Sequence, residues 1–295
     1  MSNGTVSTHG VEIAYETFGD VAGRPLLLVM GLATQMLSWH DDLCRVLVER
    51  GFFVVRFDNR DVGLSTHLDD APPADVMAAF GGDTSSASYT LDDMADDTVG
   101  LLDGLGLRDA HLLGASMGGM VAQTVAVRHP DRVRSLSSVM STPSPHIGPA
   151  SPAAVGVLLA APATTREEAV QRAVATYEVI GSPGYPLDVE WLSDVAGRAY
   201  DRGYDPAGVA RQLLAIHASG DRTASLAGVS VPTLVVHGED DPLVGVEGGR
   251  ATAAAVPGAE LLLIPGMGHN FPRELWPQIV DALCRVADRA DGVEA

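Results

Sequence analysis

Apolar residues recur along this chain in two rhythms. The unbroken runs PLLLVMG (25–31) and FFVVRFD (52–58) have the pattern of strands that sit inside a parallel sheet, and AHLLGA (110–115), TLVVHG (233–238) and ELLLIP (260–265) read as further strands. VEIAYETFG (11–19) instead alternates, as a half-covered strand does. Between them lie helical spacings. In LDDMADDTVGLLDGLGL, the residues Leu91, Met94, Val99, Leu101, Leu102 and Leu105 recur at roughly helical intervals behind an acidic first turn, which suits a helix N-terminus. VRSLSSVMS (133–141), EGGRATAAAVPG (247–258) and ELWPQIVDALCRVADRA (274–290) continue the alternation of strand and helix. Parallel neighbours need crossover connections, so this order predicts an α/β fold: a mostly parallel sheet flanked by helices.

One stretch breaks the rhythm. From about Thr142 to Gly220 no strand pattern occurs, the entry TPSPHIGPASP is rich in proline, and helical patterns follow, including TREEAVQRAVATYEVIG with Thr165 and Glu168 at capping-box spacing. This predicts a core of residues 1–141 and 221–295 carrying an inserted helical cap over 142–220. Apolar runs such as AAVGVLLAAP (153–162) suit roofing a pocket, sealing against the core or joining a second subunit; the oligomeric state is left open.

Charge narrows the partners. The 295 residues carry a formal net charge of −19, and all 19 basic residues are arginine. Such a surface repels phosphate backbones and anionic membranes, so neither nucleic acid nor membrane is an expected partner. The opening MSNGTVSTHG lacks the basic start and apolar run of a secretion signal, and no window has the length of a membrane span, so a cytoplasmic protein is expected. Cys44 and Cys284 stand far apart without histidines at ligand spacing. They suggest neither a disulfide framework nor a metal site, and no cofactor is expected.

Chemistry concentrates around one serine. Gly114, Ser116 and Gly118 spell G-x-S-x-G between the strand pattern AHLLGA and the helical pattern MVAQTVAVRHP. In that context a sharp strand-to-helix turn lifts the hydroxyl above the sheet, and bulky neighbours would collide. A serine hydroxyl is a poor nucleophile at neutral pH and needs a histidine base with an acid to orient it. Those partners should follow in the order acid, then histidine. After TLVVHG comes EDDPLV, and after ELLLIP comes GMGHN, both at strand ends on the edge where open α/β sheets bind ligands. His269, flanked by Gly266 and Gly268, is the expected base, and Asp241 is preferred over Glu239 and Asp240 as the acid. The earlier strand end, VMSTPSP, contains no carboxylate. His237 and His111 belong to strands and read as structural. His9, His40, His67, His129, His146 and His217 lack a strand-end setting, with His40 and His146 left open as pocket-lining residues. Two backbone N–H groups must hold the oxyanion: Met117, at the helix start, and Leu32, after the turn at Gly31 in VMGLATQ.

Over nearly its whole length the chain resembles the α/β hydrolases. The runs LLLVMG, FDNRDVGLST, GASMGGM, EDDPLV and IPGMGH occur in the family's order and are most similar to the branch that contains aclacinomycin methylesterase. The resemblance implies a Ser116–His269–Asp241 triad with Leu32 and Met117 as oxyanion donors, in agreement with the residues themselves. It also implies that Asp58 and Arg60 lock the loop after the fourth strand. The inserted region follows little of that branch's sequence, so the reaction class carries over and the substrate does not. The single glycine before Leu32 resembles the narrower type of oxyanion loop, which disfavours esters of bulky tertiary alcohols. The expected function is hydrolysis of a carboxylic ester, such as a methyl ester or lactone of a small hydrophobic molecule, through an acyl-enzyme. The same constellation also serves carbon–carbon bond hydrolysis, thioester hydrolysis and cofactor-free perhydrolysis. A non-catalytic ligand receptor or a cyclase that uses only the pocket is the reading from outside hydrolysis.

Overall fold

A computed structural model describes residues 2–293. Eight strands form one sheet: β1 (Ser2–Thr8), β2 (Val11–Phe18), β3 (Arg24–Val29), β4 (Phe52–Phe57), β5 (Ala110–Ala115), β6 (Val133–Val139), β7 (Thr233–Gly238) and β8 (Glu260–Ile264). Their order across the sheet is β1-β2-β4-β3-β5-β6-β7-β8. The β1–β2 and β2–β4 pairings are antiparallel and the remaining five are parallel. The α/β architecture expected from the alternation is therefore present. β1 is an addition, because SNGTVST is polar and mostly exposed and offers no apolar period to read.

The helices are α1 (Asp41–Glu49), α2 (Val76–Phe80), α3 (Leu91–Gly104), α4 (Met117–Arg128), α5 (Pro152–Leu158), α6 (Arg166–Ile180), α7 (Val189–Arg202), α8 (Pro206–Ala218), α9 (Thr223–Leu226), α10 (Val246–Ala255) and α11 (Trp276–Asp291). Two apolar cores lie on opposite faces of the sheet. Leu27 and Val29 of β3 join α3 and α4 in one core, while Leu26 and Leu28 join α1 and α11 in the other. A strand points successive side chains to opposite faces, so a run with no polar gap is what burial on both faces requires.

The helices from α5 to α9 occupy the connection from β6 to β7. Their caps are written in the sequence: Ser151, Thr165, Asp188 and Asp205 each accept a backbone N–H from the first turn of α5, α6, α7 and α8. The parallel strands β3, β5, β7 and β8 end on one edge of the sheet, and the loops beyond them carry the residues described next.

Candidate active site

β5 runs straight into Ser116, which adopts φ 56° and ψ −121°, and α4 begins at the next residue. Left-handed φ at a non-glycine residue persists only where the surroundings fix it. Here they do. The Ser116 N–H donates to the Val139 carbonyl at 2.9 Å, and the Ser141 hydroxyl donates to the Ser116 carbonyl at 2.8 Å. The glycines make room for the turn. A β-carbon on Gly114 would lie 2.2 Å from the Gly118 carbonyl oxygen, and one on Gly118 would lie 2.0 Å from that of Val29.

His269 follows β8. Its Nε2 lies 2.9 Å from Ser116 Oγ and its Nδ1 lies 2.7 Å from Asp241 Oδ2. The chain order Ser, Asp, His thus converges on one hydrogen-bonded line at the strand ends. Asp241 is turned toward the histidine by its own loop, because its Oδ1 accepts the N–H groups of Leu243 and Val244, both at 2.9 Å. Glu239 and Asp240 are exposed, and Asp240 instead accepts the Gly266 N–H at 2.8 Å. Of the three clustered carboxylates, Asp241 is the one that meets His269.

Among the described residues, no other histidine is hydrogen-bonded to Ser116 or Asp241, although His237 Nε2 comes within 3.7 Å of Asp241 Oδ2. His237 is fully buried in β7, donates from Nε2 to the Val244 carbonyl at 2.8 Å, and is held below its ordinary pKa by burial. His111 pairs with the Ser135 hydroxyl at 2.8 Å. His40 caps α1 by accepting the Asp42 N–H and stacks on Trp191, while His146 is exposed.

The loop after β3 brings Gly31 against the serine, where a β-carbon would come 3.1 Å from Ser116 Cβ. Among the described residues, no carbonyl or side chain accepts from the Leu32 or Met117 N–H. This loop is held by the one after β4. The Asp58 carboxylate accepts the Met36 N–H at 2.8 Å and the Leu64 N–H at 3.0 Å, and Asn59 donates to the Met30 carbonyl at 2.9 Å. Arg202 of α7 reaches Asp58 at 3.0 Å. Burial raises the Asp58 carboxyl pKa, and Arg202 works against that rise. Arg60 forms a two-pronged pair with Asp97 at 2.6 and 2.8 Å. Asp58 and Arg60 therefore lie in loop-fastening contacts and away from the Ser116 hydroxyl.

Contacts invisible to sequence motifs come from the last residue of α6 and the segment that joins it to α7. The Ile180 carbonyl accepts the His269 N–H at 2.7 Å, and Ser182 Oγ accepts the Gly268 N–H at 2.9 Å. Glycines allow this closeness: a β-carbon on Gly268 would lie 2.1 Å from the Gly181 carbonyl oxygen, and one on Gly184 would lie 2.7 Å from Gly266 Cα. Asp61, His67 and Asp205 also cluster, with potential ligand atoms within 4.8 Å of one another. Their charge is met by a protein cation, since Arg211 contacts Asp61 at 2.7 Å and Asp205 at 3.2 Å.

The model describing the alpha/beta hydrolase fold matches residues 24–179, more than half of the chain, and one describing TAP-like proteins matches 215–274. The chain belongs to the α/β-hydrolase fold family. Rhodomycin D methylesterase DnrP of Streptomyces peucetius is 27% identical to this α/β hydrolase, covering 96% of it and 97% of the relative. Among solved structures, a thermophilic esterase from Thermogutta terrifontis is 25% identical with a TM-score of 0.66, covering 100% of each chain. The enol-lactonase from Burkholderia xenovorans LB400 is 23% identical with a TM-score of 0.69, covering 98% of this chain and 100% of that one. No helix among the described residues is long and apolar enough to cross a membrane.

Proposed function

We propose that this α/β hydrolase is a serine esterase that cleaves a carboxylic ester through an acyl-enzyme. The observation that carries the reading is the hydrogen-bonded line from Ser116 Oγ through His269 to Asp241, with spacings of 2.9 and 2.7 Å. His269 Nε2 takes the proton as Ser116 attacks the ester carbonyl, and Asp241 holds Nδ1–H and stabilises the imidazolium. The developing oxyanion sits between the N–H groups of Leu32 and Met117, which favours the transition state because both donors are fixed beforehand. His269 then gives its proton to the leaving alcohol. Water repeats the cycle and releases the acid.

The substrate class is a small hydrophobic ester, with a methyl ester or lactone as the expected form. The named activity of the methylesterase relative, which spans nearly the whole chain, supports ester cleavage. We further read residues 142–220 as a cap over this site and residues 1–141 with 221–295 as the catalytic core. Support for that division comes from the contacts that α6, α7 and their connection make with the loops of His269 and Leu32.

The test pairs a fluorophosphonate probe with a panel of p-nitrophenyl esters of graded chain length and methyl esters of polycyclic acids. Ser116 should take the label, and at least one ester class should turn over. A folded protein that takes no label and cleaves none of the panel would sink the reading.

A further inference from the structure

The loop bearing Leu32 is tied to α8 by a fully buried amide. Gln212 Oε1 accepts the Ala33 N–H at 3.1 Å, and its Nε2 donates to the Arg60 carbonyl at 2.8 Å. Only one orientation of the amide serves both partners, because one offers an N–H and the other a carbonyl. Arg60 is itself clamped on Asp97, and Arg211, next to Gln212, is clamped on Asp61. The amide therefore reaches the loop from a fixed base.

What it holds is a strained turn. The Thr34 hydroxyl donates to the Gly31 carbonyl at 3.0 Å and the Thr34 N–H points to the same oxygen at 3.4 Å, closing a four-residue turn. At the third position, Ala33 has φ 64°, a conformation that turns usually reserve for glycine or asparagine. If the Leu32–Ala33 peptide turned over, Ala33 could return to negative φ. Gln212 opposes that change by binding the N–H of this very peptide. The Gly31 carbonyl and the Leu32 N–H share the preceding peptide plane, so Thr34 and Gln212 together fix both peptides that flank Leu32.

We propose that Gln212 is a positioning residue for the oxyanion hole: it holds the Leu32–Ala33 peptide in its strained orientation and thereby keeps the Leu32 N–H aimed at the oxyanion. The inference rests on the esterase reading. It assigns the inserted helices a part in the chemistry, acting through the loop after β3, in addition to any covering role.

The experiment compares wild type, Gln212→Met, Ala33→Gly and the double variant on a p-nitrophenyl ester that wild type turns over. Inhibition by a trifluoromethyl ketone, whose adduct places an oxyanion in the hole, is measured alongside. In Gln212→Met, kcat should fall roughly 10- to 100-fold with KM within about twofold, as expected when a transition-state donor is misplaced. Ketone binding should weaken in proportion. Glycine holds positive φ without strain, so Ala33→Gly should restore most of the lost kcat in the double variant. A loss of packing alone would not be rescued that way. Gln212→Asn, which withdraws the amide by one methylene, carries the same test where the methionine variant does not fold. Folded Gln212→Met with wild-type kcat, or a fall in kcat that leaves ketone affinity unchanged and resists Ala33→Gly, overturns the positioning role. Turnover that survives Ser116→Ala overturns the esterase reading itself.

Discussion

Ser116 keeps its place in the sheet while leaving it: its N–H still donates to the Val139 carbonyl at 2.9 Å, as a strand residue would, although its φ of 56° has already abandoned the strand. The hydroxyl is thereby presented to His269 from a backbone that the neighbouring strand holds still.

That arrangement fixes the first prediction. Replacing Ser116 or His269 by alanine should lower kcat on the order of a million-fold, and Asp241→Asn should lower it about ten-thousand-fold. Steady-state turnover on p-nitrophenyl esters, with circular dichroism to confirm folding, checks the series. Combining Ser116→Ala with His269→Ala should cost little beyond either alone, because the residues act as one unit.

A second prediction concerns the room around the serine. Gly118→Ala would place a methyl group 2.0 Å from the Val29 carbonyl oxygen, a backbone atom that cannot swing aside. Overpacking of this kind costs roughly 1–3 kcal/mol or more, and here it also displaces Met117 from the start of α4. Chemical denaturation should show the lower stability. Gly156→Ala, at an exposed position of α5 where no atom beyond the helix's own nearby backbone lies within 4 Å of the added carbon, is the control: stability should not fall and should rise by up to about 1 kcal/mol, the helix preference for alanine over glycine.

Third, the Arg60–Asp97 pair has side chains only 9% and 3% exposed. Burial pushes the Asp97 carboxyl above its usual pKa, and the Arg60 hydrogen bond restrains that rise. Arg60→Met should therefore destabilise the fold by about 3–5 kcal/mol, since it strands a buried carboxylate. Adding Asp97→Leu should recover much of the loss. Urea titrations of the two single variants and the double variant measure the coupling.

Fourth, His237 is kept neutral by burial, so the unfolded chain binds a proton that the fold refuses. Below an unfolded pKa of about 6.5, unfolding takes up protons, and stability must fall as pH falls. His111 acts in the same direction through burial. His67 acts oppositely: burial opposes its proton most strongly of any single cause, yet the hydrogen bonds to Asp205 and the Gly63 carbonyl and the charges of Asp205 and Asp61 together hold its pKa up. Tm should drop between pH 7.5 and about 5.5, and His237→Gln should flatten that slope. An unchanged slope in the variant would remove His237 from the account.

Legibility tracked the range of the interactions. Strands β3, β4, β5 and β7 announce themselves through apolar runs buried nearly throughout, β6 and the half-exposed edge strand β8 through their place in the alternation, and Gly114, Ser116 and Gly118 through a local steric demand, so all are readable in the sequence. Asp241 was reachable by its strand-end position, although only its loop hydrogen bonds separate it from Asp240. β1 was not readable, because an edge strand held by backbone pairing to β2 needs no apolar period. Gln212 was hidden for another reason. A buried amide looks like any polar helix residue until the chain brings Ala33 and Arg60 to it from more than 150 positions away. Ile180 escaped entirely, since its contribution to the His269 loop is a carbonyl that every residue possesses.

The interlocked glycines at 181 and 268, and at 184 and 266, also bear on how such enzymes can be recombined. A chimera that borrows the inserted helices from a relative must import complementary glycines on the far side of the seam. Otherwise the first added methyl group wedges the His269 loop away from Ser116, and the transplant loses the 2.9 Å contact between the two side chains.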